Sequence, residues 1–195
     1  MGFVGSGDVS EVSGGVIWIT GMSAAGKTTL GAAVRSRLRR DGVCCVCLDG
    51  DMVREAMGGD LGYAEADRMV QIRRIQTLSR HLSAQGLVVI VAALYSHPDL
   101  LRWNRTAFPR YVEVYLQASL EALKRRDPKG VYGRPADVVG VHIPWRPPVD
   151  ADVRFDTDTL QAPEGMADRV VQAMTAKWSG ARPPSSHVAG AGRND

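Results

Sequence analysis

Along the chain, short continuous apolar runs alternate with longer stretches whose apolar positions recur every three or four residues. Gly15-Val16-Ile17-Trp18-Ile19-Thr20 is apolar on both faces and predicts a short buried strand, and residues 28–40 place Leu30, Val34 and Leu38 on one side of a helix. Val43-Cys44-Cys45-Val46-Cys47-Leu48 predicts a second strand, read as a central one, followed by a short helix over Val53 to Met57 and a turn at Gly58-Gly59. Residues 64–85 carry Met69, Ile72, Ile75, Leu78 and Leu82 at helical spacing and stop at Gly86. Leu87-Val88-Val89-Ile90-Val91-Ala92-Ala93 suits a strand buried between two helical layers. Further strands are expected at 111–116 and 153–155, helices at 120–126 and 163–178, and a polar Gly/Pro-containing segment at 127–148. Five strands alternating with helices predict a three-layer α/β/α sandwich whose ligand site lies at the carboxyl ends of the strands.

Composition narrows this only a little. With 195 residues, 45% hydrophobic and 23% charged, the chain has room for one sizeable core, assigned to residues 15–178. Residues 1–14 are expected to be flexible and 179–195 disordered, the latter being rich in Pro, Ser, Gly and Ala. No apolar run approaches the roughly 20 residues that span a bilayer, and the first residues lack the pattern of a signal peptide, so a cytoplasmic protein with no membrane partner is expected. A net charge of +3, from 24 Lys and Arg against 21 Asp and Glu, is too small to argue for nucleic acid. Arg35, Arg37, Arg39 and Arg40 read as a solvated helix face. Cys44, Cys45 and Cys47 have no second cluster to share a metal with and read as small buried thiols.

The chemistry concentrates just after the first strand. Gly21-Met22-Ser23-Ala24-Ala25-Gly26-Lys27-Thr28-Thr29 matches G-x-x-x-x-G-K-[ST] between a predicted strand and a predicted helix, the context that turns this pattern into a phosphate-binding loop. Such a loop aims successive backbone N–H groups and the positive end of the helix dipole at the phosphates of a nucleoside triphosphate. It also brings Lys27 to the β- and γ-phosphate oxygens and the Thr28 hydroxyl to Mg²⁺. The fold is therefore expected to be that of the P-loop NTPases, with a mostly parallel five-stranded sheet. Asp49-Gly50-Asp51 follows the second strand and places two carboxylates near those phosphates. One suits Mg²⁺, assigned to Asp49, and the other the acceptor hydroxyl, assigned to Asp51; a turn that caps the next helix explains the same tripeptide.

Several further segments, in order and at similar spacing, resemble the adenylylsulfate (APS) kinase family. They are the loop 21–29, Leu48-Asp49-Gly50-Asp51-Met52-Val53-Arg54, Asp67-Arg68 with Ile72-Arg73-Arg74-Ile75, Glu113-Val114-Tyr115, Arg126-Asp127-Pro128-Lys129-Gly130-Val131-Tyr132, and Asp156-Thr157. The resemblance covers roughly residues 15 to 175. It implies a kinase dependent on ATP and Mg²⁺ that phosphorylates the 3′-hydroxyl of adenosine 5′-phosphosulfate to give PAPS, a small-molecule nucleotide partner, and an oligomeric state left open between monomer and homodimer. It further implies that Arg54 and Arg68 contact the anionic acceptor, that Tyr63 stacks on its base, that Gln71 and Ser96 line the acceptor site, and that Arg126 and Lys129 open a lid over ATP.

The chain departs from the family pattern at the acceptor side. Gln71 stands for an asparagine and Val70 for a glutamate; Tyr95-Ser96-His97-Pro98 matches the family's Ile-Ser-Pro only approximately. The lid after Tyr132 is shorter, with Val138 about where a phenylalanine would form a second wall for a base, and His142 and Ile143 replace two acidic residues. Trp145 reads either as a base-stacking or as a core-covering residue, and His97 and His142 as site-lining groups without an assigned role. Three readings follow: an APS kinase, a kinase of the same scaffold acting on another acceptor such as a cytidine diphosphate derivative, and a nucleotide-dependent switch without phosphoryl transfer. Lys27, Thr28, Asp49, Asp51, Arg54 and Arg68 together weigh against the third, since a switch needs no acceptor site.

Overall fold

A computed structural model describes residues 14–159 and 161–179; the calls made for the remaining terminal residues lie outside it. The order is β1 Gly15–Thr20, α1 Lys27–Arg40, β2 Cys45–Asp49, α2 Gly50–Ala56, α3 Glu65–Ala84, β3 Val88–Ala93, α4 Pro98–Ala107, β4 Tyr111–Gln117, α5 Leu120–Arg126, β5 Val153–Asp156 and α6 Pro163–Trp178, with a 3-10 turn at Val131–Gly133. All four strand pairings are parallel and the sheet order is β2-β3-β1-β4-β5.

β1 shows why the sheet is sandwiched. Its six residues are all buried, with Ile17 and Ile19 in one apolar cluster and Val16 and Trp18 in the other, as period-2 geometry requires of a strand covered on both faces. The first cluster joins Leu30, Val34 and Leu38 of α1 to Val170, Val171 and Met174 of α6, and the second takes in Ile72 and Ile75 of α3 with Leu100 and Leu101 of α4. Each fully buried aliphatic side chain in these layers contributes about 1.5–3 kcal/mol.

The chain leaves β1 for one helical layer and β3 for the other, although the two strands are neighbours. The crevice that opens where connections diverge is where such sheets bind ligands.

Two expectations need correction. β2 is an edge strand: pairing order depends on partners far along the chain, and an apolar run of this length suits an edge covered by α1 as well as a centre. The cysteines follow suit. Cys44 is exposed, while Cys45 and Cys47 are half-buried against α1, with Sγ 3.8 Å from the Arg35 carbonyl and 3.7 Å from the Gly31 carbonyl; burial raises the pKa of both. Helix α4 was not expected. It starts at His97, whose Nδ1 accepts the Asp99 N–H at 3.3 Å, with Pro98 in its first turn. It also completes a buried polar chain from Gln76 through Asn104 and Tyr111 to Glu113, which Arg105 meets at 2.9 Å. Burial lifts the Glu113 pKa, so its fully enclosed carboxyl is compensated only by these partners and anchors α3 and α4 to β4. Among the described residues, no helix is long and apolar enough to cross a membrane.

Candidate active site

The phosphate-binding loop begins where the backbone is most crowded. A Cβ on Gly21 would lie 2.7 Å from the Leu116 carbonyl oxygen, and Gly26, at φ +95°, turns the chain into α1 with no side chain capping the helix. The first N–H groups of α1 therefore remain directed at the crevice, a ready-made anion site. Lys27 Nζ donates to the Met22 carbonyl at 2.8 Å. Burial pulls its pKa down to about 8, outweighing Asp49 and Asp51, which act in the opposite direction. A lysine held so far below its ordinary value lacks a full counter-charge.

The two aspartates divide their work. Asp49 Oδ2 accepts from the Thr28 hydroxyl at 2.7 Å, while its Oδ1 caps α2 through the Asp51 N–H at 3.0 Å, so capping the next helix leaves the other carboxylate oxygen facing Thr28. Asp51 projects from the first turn of α2 and its Oδ2 meets Lys129 Nζ at 2.8 Å. Burial works to raise the Asp51 pKa, yet Lys129, Lys27 and Arg54 outweigh it and hold the carboxyl below its usual range.

These groups line one cleft of about 520 Å³, which also contains Arg54, Tyr63, Arg68, Gln71, Arg126 and Val138. Arg54 donates to the Leu61 and Gly62 carbonyls at 3.0 and 2.6 Å, and Arg68 donates to those of Tyr63 and Asp137, both at 2.8 Å. Backbone carbonyls orient both guanidinium groups without neutralising them. The Arg68 pKa is lowered by burial first and by Arg54 second, against the opposing pull of Asp137 and Asp51.

The neighbouring cleft wall comes from 127–138. Tyr132 donates its hydroxyl to the Ser23 carbonyl at 2.9 Å, and its N–H donates to Asp127 Oδ2 at 2.7 Å. That segment thus lies across the phosphate loop with Lys129 on Asp51.

A family profile described as Adenylylsulphate kinase matches residues 13–156, well over half of the chain. The chain belongs to the adenylylsulphate kinase family. A relative named adenylyl-sulfate kinase from Chloroflexus aurantiacus is 39% identical over 157 residues, covering 78% of this chain and 84% of the relative. Another of that name, from Paraburkholderia xenovorans, is 36% identical over 169 residues, covering 84% and 94%. The solved structure of the Mycobacterium tuberculosis APS kinase CysC in complex with AMPPNP and APS superposes with a TM-score of 0.76 at 27% identity, over 83% of this chain and 98% of that one. Shikimate kinase from Aquifex aeolicus, at 13% identity and a TM-score of 0.52, shares the fold alone.

Within this adenylylsulphate kinase family member, the expected site residues do not all face the cleft. Ser23, Ala24, Gly26, Lys27, Thr28 and Thr29 line it, whereas Gly21 and Ala25 are buried and Met22 packs against the core and presents its carbonyl to Lys27. Arg126 lines the cleft and donates to the Asp158 carbonyl at 2.7 Å. Gln71 lines it too, with Nε2 donating to the Gly50 carbonyl at 3.1 Å and Oε1 buried without a partner among the described residues.

Ser96 requires correction as a cleft residue. The chain turns into α4 directly after β3, so Leu94 and Tyr95 line the cleft while Ser96 is 1% exposed with its hydroxyl unpartnered among the described residues. His97 and His142 also have local duties: the first caps α4 and the second accepts the Val138 N–H at 3.3 Å. Trp145 covers the core, with its ring 6.2 Å from that of Tyr115 and Nε1 donating to the Tyr115 hydroxyl at 3.4 Å. Sequence reasoning missed Arg134 and Asp137, which line the cleft from the 127–138 segment, the first over the Tyr63 ring and the second accepting from Arg68 through its carbonyl. The basic residue inside an otherwise Gly/Pro-containing segment was the available signal.

Proposed function

We propose that the protein is an ATP-dependent kinase that phosphorylates the 3′-hydroxyl of adenosine 5′-phosphosulfate. The observation that carries this reading is the shared cleft: phosphate loop, twin aspartates and a twin-arginine aromatic floor open into one space. The loop amides and the α1 N-terminus bind the triphosphate, and Lys27 exchanges the Met22 carbonyl for phosphate oxygens. Thr28 and Asp49, two hard oxygen donors already 2.7 Å apart, suit Mg²⁺. No group of three His, Cys, Asp or Glu side chains able to hold a metal occurs among the described residues, so this pair fits an ion that keeps waters and takes phosphate oxygens as its remaining ligands. When bound, Mg²⁺ neutralises charge on the β- and γ-phosphates.

Asp51 orients the acceptor hydroxyl and takes its proton as the new O–P bond forms and the bond to the ADP oxygen breaks. A strong base is unnecessary for so loose a transition state, which fits a carboxyl held low by its cationic neighbours. Arg54 and Arg68 hold the phosphosulfate, and Tyr63 offers its ring to the base.

A second reading, another nucleotide with an acidic 5′ substituent such as a cytidine diphosphate derivative, is favoured by Val138, a small aliphatic wall beside the Tyr63 floor. Coupled ADP-release assays with Mg²⁺ and ATP against APS and a panel of nucleotides test both. Turnover with APS, lost in Asp51→Ala, is the expected result; turnover confined to another nucleotide supports the second reading, and none with any acceptor overturns both.

A further inference from the structure

Tyr63 is the exposed aromatic of the cleft, at 43% exposure; the other cleft tyrosine, Tyr95, is buried and donates its hydroxyl to Glu65 at 2.5 Å. Three guanidinium groups lie over the Tyr63 ring, those of Arg54, Arg68 and Arg134, at 4.9, 5.5 and 5.6 Å from its centroid. They are not equivalent. Arg54 and Arg68 are each tied by two hydrogen bonds to backbone carbonyls. The Arg134 side chain makes no hydrogen bond or ion pair among the described residues; its guanidinium feels Asp127 only at a distance, and its visible attachment is the ring.

A planar cation resting on an aromatic face, on a segment tied down by backbone and by Tyr132, Asp137 and Val138 while its own side chain makes no hydrogen bond among the described residues, occupies the place a flat ligand ring would take. No second aromatic faces Tyr63 across the cleft among the described residues, and Val138 on that side is a buried aliphatic.

We propose that Arg134 is the second wall of the acceptor-base site: the base enters between the Tyr63 ring and the Arg134 guanidinium, which withdraws by one ring thickness and stacks on the outer face. This rests on the phosphoryl-acceptor reading of the cleft given above. The guanidinium both covers the base and keeps a third positive charge beside the two arginines that meet the acidic substituent, so the acceptor it selects is a nucleotide with two linked acidic groups at its 5′ end, a phosphosulfate or diphosphate.

The test compares Arg134→Ala, Arg134→Lys and Arg134→Phe with the parent enzyme in steady-state kinetics, varying ATP and acceptor separately. Loss of one stacking wall raises the acceptor KM by about ten-fold or more in Arg134→Ala, with ATP KM and kcat within two-fold. Lysine, a point charge without a flat face, fails to restore the KM, whereas phenylalanine restores it for acceptors with a single 5′ phosphate and less fully for those with two acidic groups. An unchanged acceptor KM in Arg134→Ala overturns the proposal, as does a rise shared equally by ATP, which signals loss of lid closure alone. If the parent enzyme turns over no APS, the assigned reaction fails. The same variants are then titrated calorimetrically with ADP, CDP, UDP and GDP in the presence of Mg²⁺ and a non-hydrolysable ATP analogue; weakened binding of the preferred diphosphate by Arg134→Ala sustains the clamp, and unchanged or undetectable binding overturns it.

Discussion

The two halves of the cleft are built on different principles. On the side proposed for ATP, the phosphate loop runs from the fully buried β1 into the first turn of α1, and Asp49 ends β2, so the positioning of these groups follows from β1, β2 and α1. On the side proposed for the acceptor, Arg54, Tyr63, Arg68 and Arg134 come from exposed or half-buried positions; Arg54 and Arg68 reach backbone carbonyls across five to 69 residues, and Arg134 rests on the Tyr63 ring. The first half is fixed by the hydrophobic layers and serves chemistry common to many kinases. The second is fixed by polar ties that can be rewritten without disturbing the core, which is where substrate choice can change.

The sharpest way to break this contrast is to remove charge from the ATP side. Lys27→Ala is expected to lower kcat by about 10³, the scale for losing one preorganised transition-state contact, with acceptor binding nearly intact. Where the two halves meet, Asp51→Asn keeps shape but removes the proton acceptor and is expected to cost about 10²–10⁴ in kcat. A loss in acceptor affinity matching the loss in kcat for Lys27→Ala would merge the two halves. Steady-state kinetics with ATP and acceptor varied separately make the distinction.

On the other side, Arg68→Lys exchanges a fork that bridges Tyr63 and Asp137 carbonyls for a single ammonium. The expected result is an acceptor KM raised about ten-fold and an ATP KM unchanged, since a hydrogen bond to a charged group contributes about 1.5–3 kcal/mol. A matching rise in ATP KM counts against separable halves.

The pKa of Lys27 sharpens the comparison on the ATP side alone. Its value of about 8 in the free protein lies below the ordinary 10.5, so binding of a triphosphate, which favours the charged form, must be accompanied by proton uptake above pH 8. Nucleotide affinity is therefore full below about pH 8 and falls by up to ten-fold per pH unit as pH rises further. For the free fold the sign is reversed: the unfolded chain holds the proton more tightly, so this group's contribution to stability increases between about pH 8 and 10.5. Calorimetry of nucleotide binding at pH 7 and 9, in buffers of different ionisation enthalpy, should show uptake only at the higher pH. Acceptor binding, built on arginines, should show none.

The same divide decides what the sequence disclosed. Strands β1 and β3, helix α3 and the phosphate loop were legible because a period of two or 3.6 and the spacing of Gly26-Lys27-Thr28 are local signals. That β2 lies at the sheet edge was not, because strand order is set by pairing between segments more than forty residues apart. Helix α4 hid for another reason: its apolar stripe is marked but runs over only ten residues, and its start rests on His97, an unusual cap. At the site, the Lys129 contact with Asp51 spans 78 residues, and the gathering of three arginines on Tyr63 leaves no trace in spacing. Ser96 misled because a strand end was aligned by motif, while the chain's early turn into α4 rotated it inward.

The smallest effect expected concerns the rigid half itself. Ala24, at φ +62°, is a left-handed alanine inside the phosphate loop, and its Cβ there costs about 1 kcal/mol relative to glycine. Ala24→Gly removes that strain but gives the unfolded chain more freedom, which offsets about 0.4–1 kcal/mol, so thermal stability should rise by less than about 1 kcal/mol or stay level. Function should respond differently. Ala24 lines the cleft beside Lys27, and releasing its backbone lets the loop N–H groups leave the single arrangement they now hold. A slightly higher ATP KM with unchanged acceptor KM is therefore the expected signature. Should Ala24→Gly instead be destabilising by more than about 1 kcal/mol in denaturant titration, the alanine methyl must be packing usefully against the core it touches, and the strain at this position would be subordinate to burial.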